Sequence, residues 1–317
     1  MRDSARPSVL TIGSFDGVHL GHAALIRCAR TRASAHPEGP LVKALVFDPH
    51  PMTVLAPSRA PARLSTFAQR ERWLHELGAD QVVRLEPTPE LLQQTPAAFV
   101  AAMCAQHKPI AIVEGEDFRF GHDRAGDVGT LAALGAEHGF DVEVVPPVET
   151  ALSDQSMVRA SSSMARWLVT HGRVDDVERL LGRPYELTGE VVRGDRRGRE
   201  IGFPTANVQT RSLLPRDGVY AGVAHLPDGT QRAAAIHVGP RATFDAPVRT
   251  LEAHVLDWAW PTHGQPEYGW SIRLQLHHFL RDQAKFDGIE SLVDQILRDV
   301  GRTRTMAINR TPQEVVS

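Results

Sequence analysis

The residues from Gly194 to Asn207, GDRRGREIGFPTAN, set three glycines (Gly194, Gly198 and Gly202) among three arginines (Arg196, Arg197 and Arg199) ahead of a closing Pro-Thr-Ala-Asn. Glycines let backbone N–H groups come close to a phosphate, and successive amides form an anion-binding concavity. The Thr205 hydroxyl and the Asn207 side-chain carbonyl, two residues apart, offer the oxygen ligands that a hard cation such as Mg²⁺ prefers. Pro204 fixes the entry into that pair by locking its own φ. The spacing is neither GxxxxGK[ST] nor GxGxxG. The plain alternative is a glycine-rich hairpin with a solvated basic face. A second cluster, GSFDGVHLGH from Gly13 to His22, places His19 and His22 three residues apart between an apolar run and a helical stretch. Free N–H groups and the helix dipole favour anions at such a start. The two imidazoles would add donors to a phosphate chain. The plain alternative is a histidine pair that packs or holds a metal.

Three further stretches carry polar groups in suggestive patterns. Gly115 to Asp127 reads GEDFRFGHDRAGD, with Asp117, Phe118, Arg119 and Phe120 at its centre. Alone it could be a charged surface loop with two packing aromatics. Ser161-Ser162-Ser163-Met164-Ala165-Arg166 offers hydroxyls that can cap a helix and an arginine that can neutralise phosphate charge. Alone it reads more simply as a serine cap beside a solvated arginine. Glu252 lies in an alternating stretch, Thr250 to Asp257, where a lone Glu more often faces outward. Asp48-Pro49-His50-Pro51 ends another apolar run, as a turn would.

These groups need a frame. With 317 residues the chain is long enough for two domains, each with its own core. Apolar runs at Val9–Phe15, Val42–Phe47, Gln81–Leu85, Ile110–Val113 and Val142–Val145 alternate with helical stretches. Those helices are expected from His22 to Ala35, from a Thr66 cap to Leu77, from Thr95-Pro96 to Gln106 and from Asp127 to His138. Strand–helix alternation predicts a parallel α/β sheet with its site at the carboxyl ends of the strands, where the N-terminal motifs fall. Helices over Ser161–His171 and Val174–Leu181 follow. Gly182-Arg183-Pro184 then marks the boundary between a domain of residues 1–182 and one of 183–302. From Glu186 to Leu280 short strands and turns predict an all-β barrel, closed by a helix from Ile289 to Val300, with residues 303–317 a frayed tail.

The net charge of −3 gives no general basic field, so nucleic acid is not expected as a partner. Neither a secretory apolar core after Arg2 and Arg6 nor an apolar run of about 18 residues is present. With two cysteines in no metal-like spacing, the expectation is a cytoplasmic protein without a membrane partner.

GDRRGREIGFPTAN resembles the signature of riboflavin kinases. From about Val9 to about Arg302 the chain is similar to the bifunctional riboflavin kinase/FMN adenylyltransferases, the FAD synthetases. The resemblance implies a nucleotidyltransferase-like parallel-sheet domain followed by a Greek-key β-barrel kinase domain with a terminal helix. It implies phosphorylation of riboflavin by ATP to FMN, then adenylylation of FMN by ATP to FAD and pyrophosphate. The implied catalytic residues are Glu252 as the kinase base, with His19, His22 and Arg166 at the adenylyltransferase site. Nucleotide contacts are implied at Gly13, Phe15, Asp16, Gly21, Ser161 and Ser162, and in the barrel at Gly194, Arg199 and Gly202. Asp117, Phe118, Arg119 and Phe120 are the implied flavin contacts, and Thr205 and Asn207 the implied Mg²⁺ ligands. Partners are then riboflavin, FMN and ATP, and a homo-oligomer stays open. The sequence departs from the family at Ser163 (threonine there), Ala165 (a larger aliphatic), His237 (asparagine) and Ala242 (proline). Two other readings stay open: a non-catalytic flavin- or nucleotide-binding regulator, and a nucleotidyltransferase with an accessory β-domain acting on another substrate.

Overall fold

A computed structural model describes residues 6–194, 197–241, 248–258 and 266–308. Arg196, Ala242 and the segment 309–317 lie outside the described residues. By contact the chain forms two compact units, Met1–Ala151 with Ser156–Met164, and Leu152–Gln155 with Ala165–Ser317.

The first unit alternates strands and helices as its apolar pattern requires: β1 (Ser8–Gly13), α1 (Leu20–Ala35), β2 (Leu41–Phe47), the short α2 (Met52–Leu55), α3 (Phe67–Glu76), β3 (Gln81–Leu85), the short α4 (Pro89–Leu92), α5 (Pro96–His107), β4 (Pro109–Gly115), α6 (Val128–His138) and β5 (Asp141–Val145). A hairpin of β6 (Glu149–Ala151) and β7 (Met157–Arg159) follows. The helix starts are chemically explicit. Gln69 N–H donates to Thr66 Oγ1 at 3.3 Å while Gln69 Oε1 accepts from Thr66 N–H at 2.8 Å, a reciprocal cap. Thr95 caps α5 ahead of Pro96, and Asp127 accepts from Thr130 N–H at 2.9 Å ahead of α6.

The five strands run parallel in the order β3-β2-β1-β4-β5. Alternate residues of each central strand feed two cores. Val9, Val42, Val46 and Val113 pack with Ile26 of α1 and Trp73 of α3. Leu10, Leu45 and Ile112 pack on the other face with Phe99, Met103 and Leu131. Each fully buried aliphatic of this kind contributes about 1.5–3 kcal/mol. Near the carboxyl edge the sheet opens. β1 stays paired with β2 as far as Gly13–Val46, but its pairing with β4 ends at Leu10–Ile112.

The chain crosses between units within α7 (Ser162–Thr170) and continues into α8 (Val174–Leu181). Asp175 pairs with His278 at 2.6 Å, and Val174, Val177 and Leu180 are fully buried, so α8 groups with the barrel that follows Gly182. The barrel comprises β8 (Tyr185–Val192), β9 (Ala206–Gln209), β10 (Gly218–His225), β11 (Gln231–Arg241), β12 (Val248–Val255) and β13 (Ser271–Arg281), with the one-turn α9 (Arg197–Glu200) before β9. Its closed antiparallel order is β10-β11-β12-β9-β8-β13. The β10–β11–β12 meander with β13 returning beside β10 is a Greek key.

The last helix, α10, runs from Ile289 to Ile308. This corrects the expected stop at Val300 and the frayed tail from 303. Thr303 is fully buried, Arg304 pairs with Asp257 at 2.9 Å, and Met306 packs on Val219, Ala221 and Leu280. Packing against the barrel holds turns whose own sequence is too polar to announce them.

Candidate active site

The strand-to-helix turn after β1 is held in an unusual backbone path: φ is +48° at Phe15, +80° at Gly17 and +41° at Val18. A β-branched residue at positive φ is a true outlier and costs about 1–3 kcal/mol unless its surroundings enforce it. Asp16 does the enforcing. Its carboxylate accepts from Leu64 N–H (3.0 Å), Ser65 N–H (2.9 Å) and Ser65 Oγ (3.0 Å), and Ser65 Oγ accepts from Gly17 N–H at 2.9 Å. Ser162 Oγ donates to the Asp16 carbonyl at 2.7 Å. The turn so fixed makes His19 the N-cap of α1, with His22 in the first turn. His22 Nδ1 accepts from His19 N–H at 3.2 Å, and the rings stack with centroids 3.7 Å apart. A neutral His22 therefore carries its proton on Nε2, as a donor.

This turn walls a cavity of about 290 Å³. Gly13, Phe15, His19, Gly21 and His22 line it from one side, and Glu114, Asp117, Ser161 and Ser162 from the other. A second cavity, of about 740 Å³, lies beside it. Asp117, Phe118, Arg119 and Phe120 form one wall, with Phe118 and Phe120 stacked at 5.4 Å, and His50, Met52 and Leu55 form another. Ile12, Gly13, Asp117 and Phe118 line both cavities. Two ligands, one in each, would touch. Arg70 ties the rim by donating to the carbonyls of Ser14 (2.6 Å) and Phe47 (2.9 Å), and it pairs with Asp48.

In the barrel, β9 lies between β8 and β12, with Asn207 opposite Val192 on one side and Glu252 on the other. A Cβ on Gly194 would fall 2.7 Å from Asn207 Oδ1, so only glycine leaves the amide its space. Gly202, at φ +85°, turns the chain into Phe203-Pro204. Thr205 Oγ1 donates to Glu252 Oε2 at 3.4 Å. Two cavities meet here. Gly194, Arg199 and Asn207 line a narrow one, where Arg199 is paired with Glu267 at 2.6 Å. Phe203, Glu252, Phe286, Leu292 and Ile296 line a broader, mostly apolar one of about 460 Å³. Thr205 and Gly198 line both. His237 faces Glu252 across the β11–β12 ladder, and its Nε2 accepts from Gln283 Nε2 at 2.9 Å. Burial pulls its pKa down, with Glu252 opposing, which fits a neutral ring protonated at Nδ1.

No group of three His, Cys, Asp or Glu among the described residues is placed to hold a metal. The oxygens of Thr205 and Asn207 are the neutral donors that a hard cation accepts when phosphates supply its charge. The donor set fits Mg²⁺.

Residues 1–159 match the FAD synthetase family model and residues 181–307 the riboflavin kinase model. A bifunctional riboflavin kinase/FMN adenylyltransferase of Escherichia coli K12 is 35% identical over 294 residues, 92% of this chain and 90% of that protein. The chain belongs to this family. The same-named protein of Listeria monocytogenes is 34% identical over 304 residues, 93% of this chain and 91% of its own. A solved structure, named as a macrolide-efflux protein from Streptococcus pneumoniae, superposes with a TM-score of 0.83 at 30% identity, over 95% of this chain and 94% of that one. Among the described residues of this family member, no helix is long and apolar enough to cross a membrane.

Placed on the family's two modules, most residues singled out from the sequence gather at the cavities. Asp16 clamps the turn, and Arg199 lines the narrow barrel cavity while paired with Glu267. Arg166 is half-buried on α7, in the part of that helix that groups with the second unit. Sequence reasoning missed Ser65, Met52 and Leu55. It also missed Leu292 and Ile296 on α10, although their apolar spacing was visible as a helix face.

Proposed function

We propose that each unit carries out one of the family's two reactions. The barrel unit phosphorylates riboflavin with ATP to give FMN, and the sheet unit adenylylates FMN with ATP to give FAD and pyrophosphate. In the barrel the isoalloxazine would lie in the apolar cavity walled by Phe203, Leu292 and Ile296. Glu252 then faces the ribityl end and takes the proton of the 5′-hydroxyl as that oxygen bonds to the γ-phosphorus and ADP leaves. Thr205 and Asn207 would hold Mg²⁺, which supplies charge neutralisation on the phosphates when bound. The glycine backbone around Gly194 gives the phosphate chain its close approach.

In the sheet unit FMN would occupy the larger cavity against Phe118 and Phe120, and ATP the one capped by His19 and His22. An FMN phosphate oxygen bonds to the α-phosphorus while the bond to the bridging oxygen of pyrophosphate breaks. His22 Nε2–H and the start of α1 stabilise the charge that develops on the departing group. Neither step needs a covalent enzyme intermediate. The free thiols Cys28 and Cys104 agree with a cytoplasmic setting.

The single observation that carries this reading is the position of Thr205. It lines both barrel cavities and lies within hydrogen-bond reach of Glu252, so a phosphate donor and an acceptor hydroxyl can meet at one carboxylate. The test is incubation of the chain with riboflavin, ATP and Mg²⁺, with flavins separated by chromatography. FMN should appear first and FAD after it, and both should stop on chelation. Unchanged riboflavin together with unchanged supplied FMN would overturn the assignment.

A further inference from the structure

Where β4 parts from β1, one backbone donor loses its strand partner. Ile12 N–H instead donates across the gap to Glu114 Oε1 at 2.6 Å. Glu114 is the penultimate residue of β4, only 2% exposed, and its other carboxyl oxygen has no partner among the described residues. Ile12 and Glu114 both line the cavity capped by His19 and His22. This gap is the switch point of the strand order, outside which open α/β sheets bind their ligands.

The charged and titratable surroundings are sparse. His19 and His22 come from the start of α1, and Asp117 from the loop after β4. Arg159 of β7 turns toward Asp117 at 3.2 Å and Glu116 at 3.8 Å. Asp16 is occupied by Leu64 and Ser65. At the end of β5 and just after it the wall is Val145, Pro146, Pro147 and Val148. No cation pairs with Glu114 among the described residues. Burial therefore pushes its carboxyl well above the usual range; the Ile12 N–H works against that rise and Asp117 adds to it. Since Oε1 accepts the Ile12 proton, the acid proton belongs on Oε2, which makes that oxygen a donor.

We propose that Glu114 is a nucleotide-binding residue of the sheet unit, a neutral carboxyl that donates from its unpartnered oxygen to the phosphate chain of ATP. The inference rests on the assignment of this cavity to ATP. When the proton is lost, the same oxygens face the triphosphate with charge of the same sign, so ATP binding weakens as pH rises. Glutamine keeps the size and a donor but cannot ionise; leucine keeps neither donor nor acceptor.

The test measures ATP binding by calorimetry, and the KM for ATP in FAD formation, from about pH 6 to about pH 9.5. It uses the full chain as wild type, Glu114→Gln and Glu114→Leu. Wild type should lose ATP affinity with rising pH, and Glu114→Gln should abolish that loss, binding ATP about tenfold more tightly than wild type at the alkaline end. Glu114→Leu should be about three- to tenfold weaker than wild type at the acid end, from the lost hydrogen bond. FMN formation from riboflavin by the same samples reports that the chain is intact. An alkaline loss in Glu114→Gln equal to that of wild type overturns the proposal, as does wild-type affinity in Glu114→Leu at the acid end. Failure of the underlying assignment looks different: wild type itself would then make no FAD from FMN.

Discussion

On the proposed assignment Glu252 and His22 serve different reactions, and they lie in separate contact units, so single substitutions should separate the activities. Glu252→Gln keeps the side-chain size and the neighbourhood of Thr205 but cannot take a proton from the riboflavin hydroxyl. FMN formation should fall by about 10²–10⁴-fold, the usual cost of losing a general base. Adenylylation of supplied FMN should persist, because its nucleophile is a phosphate already ionised. Two parallel reactions on one variant, started from riboflavin or from FMN, decide it, and near-normal FMN output would reduce Glu252 to an ordinary strand residue. The converse holds for His22→Ala. It removes both the Nε2 donor and the acceptor for His19 N–H, and FAD formation should drop by about 10²–10³-fold while the kinase continues. Equal loss of both activities in a folded variant would show that the histidine pair has been misassigned.

At the scale of elements, α10 does two things at once. Leu292 and Ile296 wall the apolar cavity, and the turns beyond Arg302 fasten the helix to the barrel through Thr303 and Met306. Deleting residues 303–317 should destabilise the barrel by about 1–3 kcal/mol, on the order of one buried side chain, and weaken riboflavin binding. Thermal unfolding of the truncated chain and a flavin titration measure both, and an unchanged melt with unchanged affinity would mean the extra turns are passive. This element also marks the limit of what could be read in advance. Starts fixed by local chemistry, at Thr66, Thr95 and Asp127, were legible because a cap needs only its next three residues. The final turns of α10 were not, since GRTRTM is polar and only distant barrel residues keep it helical. In the same way the motif loops could be read, while the cavity walls supplied by α2 and α10 depend on packing between segments far apart in the chain. Glu114 was hidden for a related reason. A carboxyl at the end of an apolar strand looks like a surface residue until the parting of β1 and β4 is seen.

For the whole molecule, the contact division bears on which fragment can stand alone. A chain beginning near Leu181, at the break visible in the sequence, would lack α8 and leave the surfaces that bury Val174, Val177 and Leu180 open to water. One beginning at Leu152 keeps them, together with Ser153, whose N–H donates to Asp176 Oδ1 at 2.6 Å. The longer fragment should therefore fold more stably, by about 1.5–3 kcal/mol for each aliphatic retained, and should convert riboflavin to FMN without making FAD. Denaturant unfolding of the two fragments side by side tests this, and equal midpoints would place α8 outside the folding unit. The shared wall of Ile12, Gly13, Asp117 and Phe118 in the sheet unit has a different kind of consequence. On the proposed assignment of ATP and FMN to these two chambers, a dinucleotide made where they join must fill both while it remains bound, acting as its own bisubstrate analogue. Accumulated FAD should then raise the apparent KM for ATP and for FMN alike, whereas pyrophosphate, confined to one chamber, should compete with ATP alone. Feedback of this form needs no regulatory site: it is product inhibition written into the partition between two cavities.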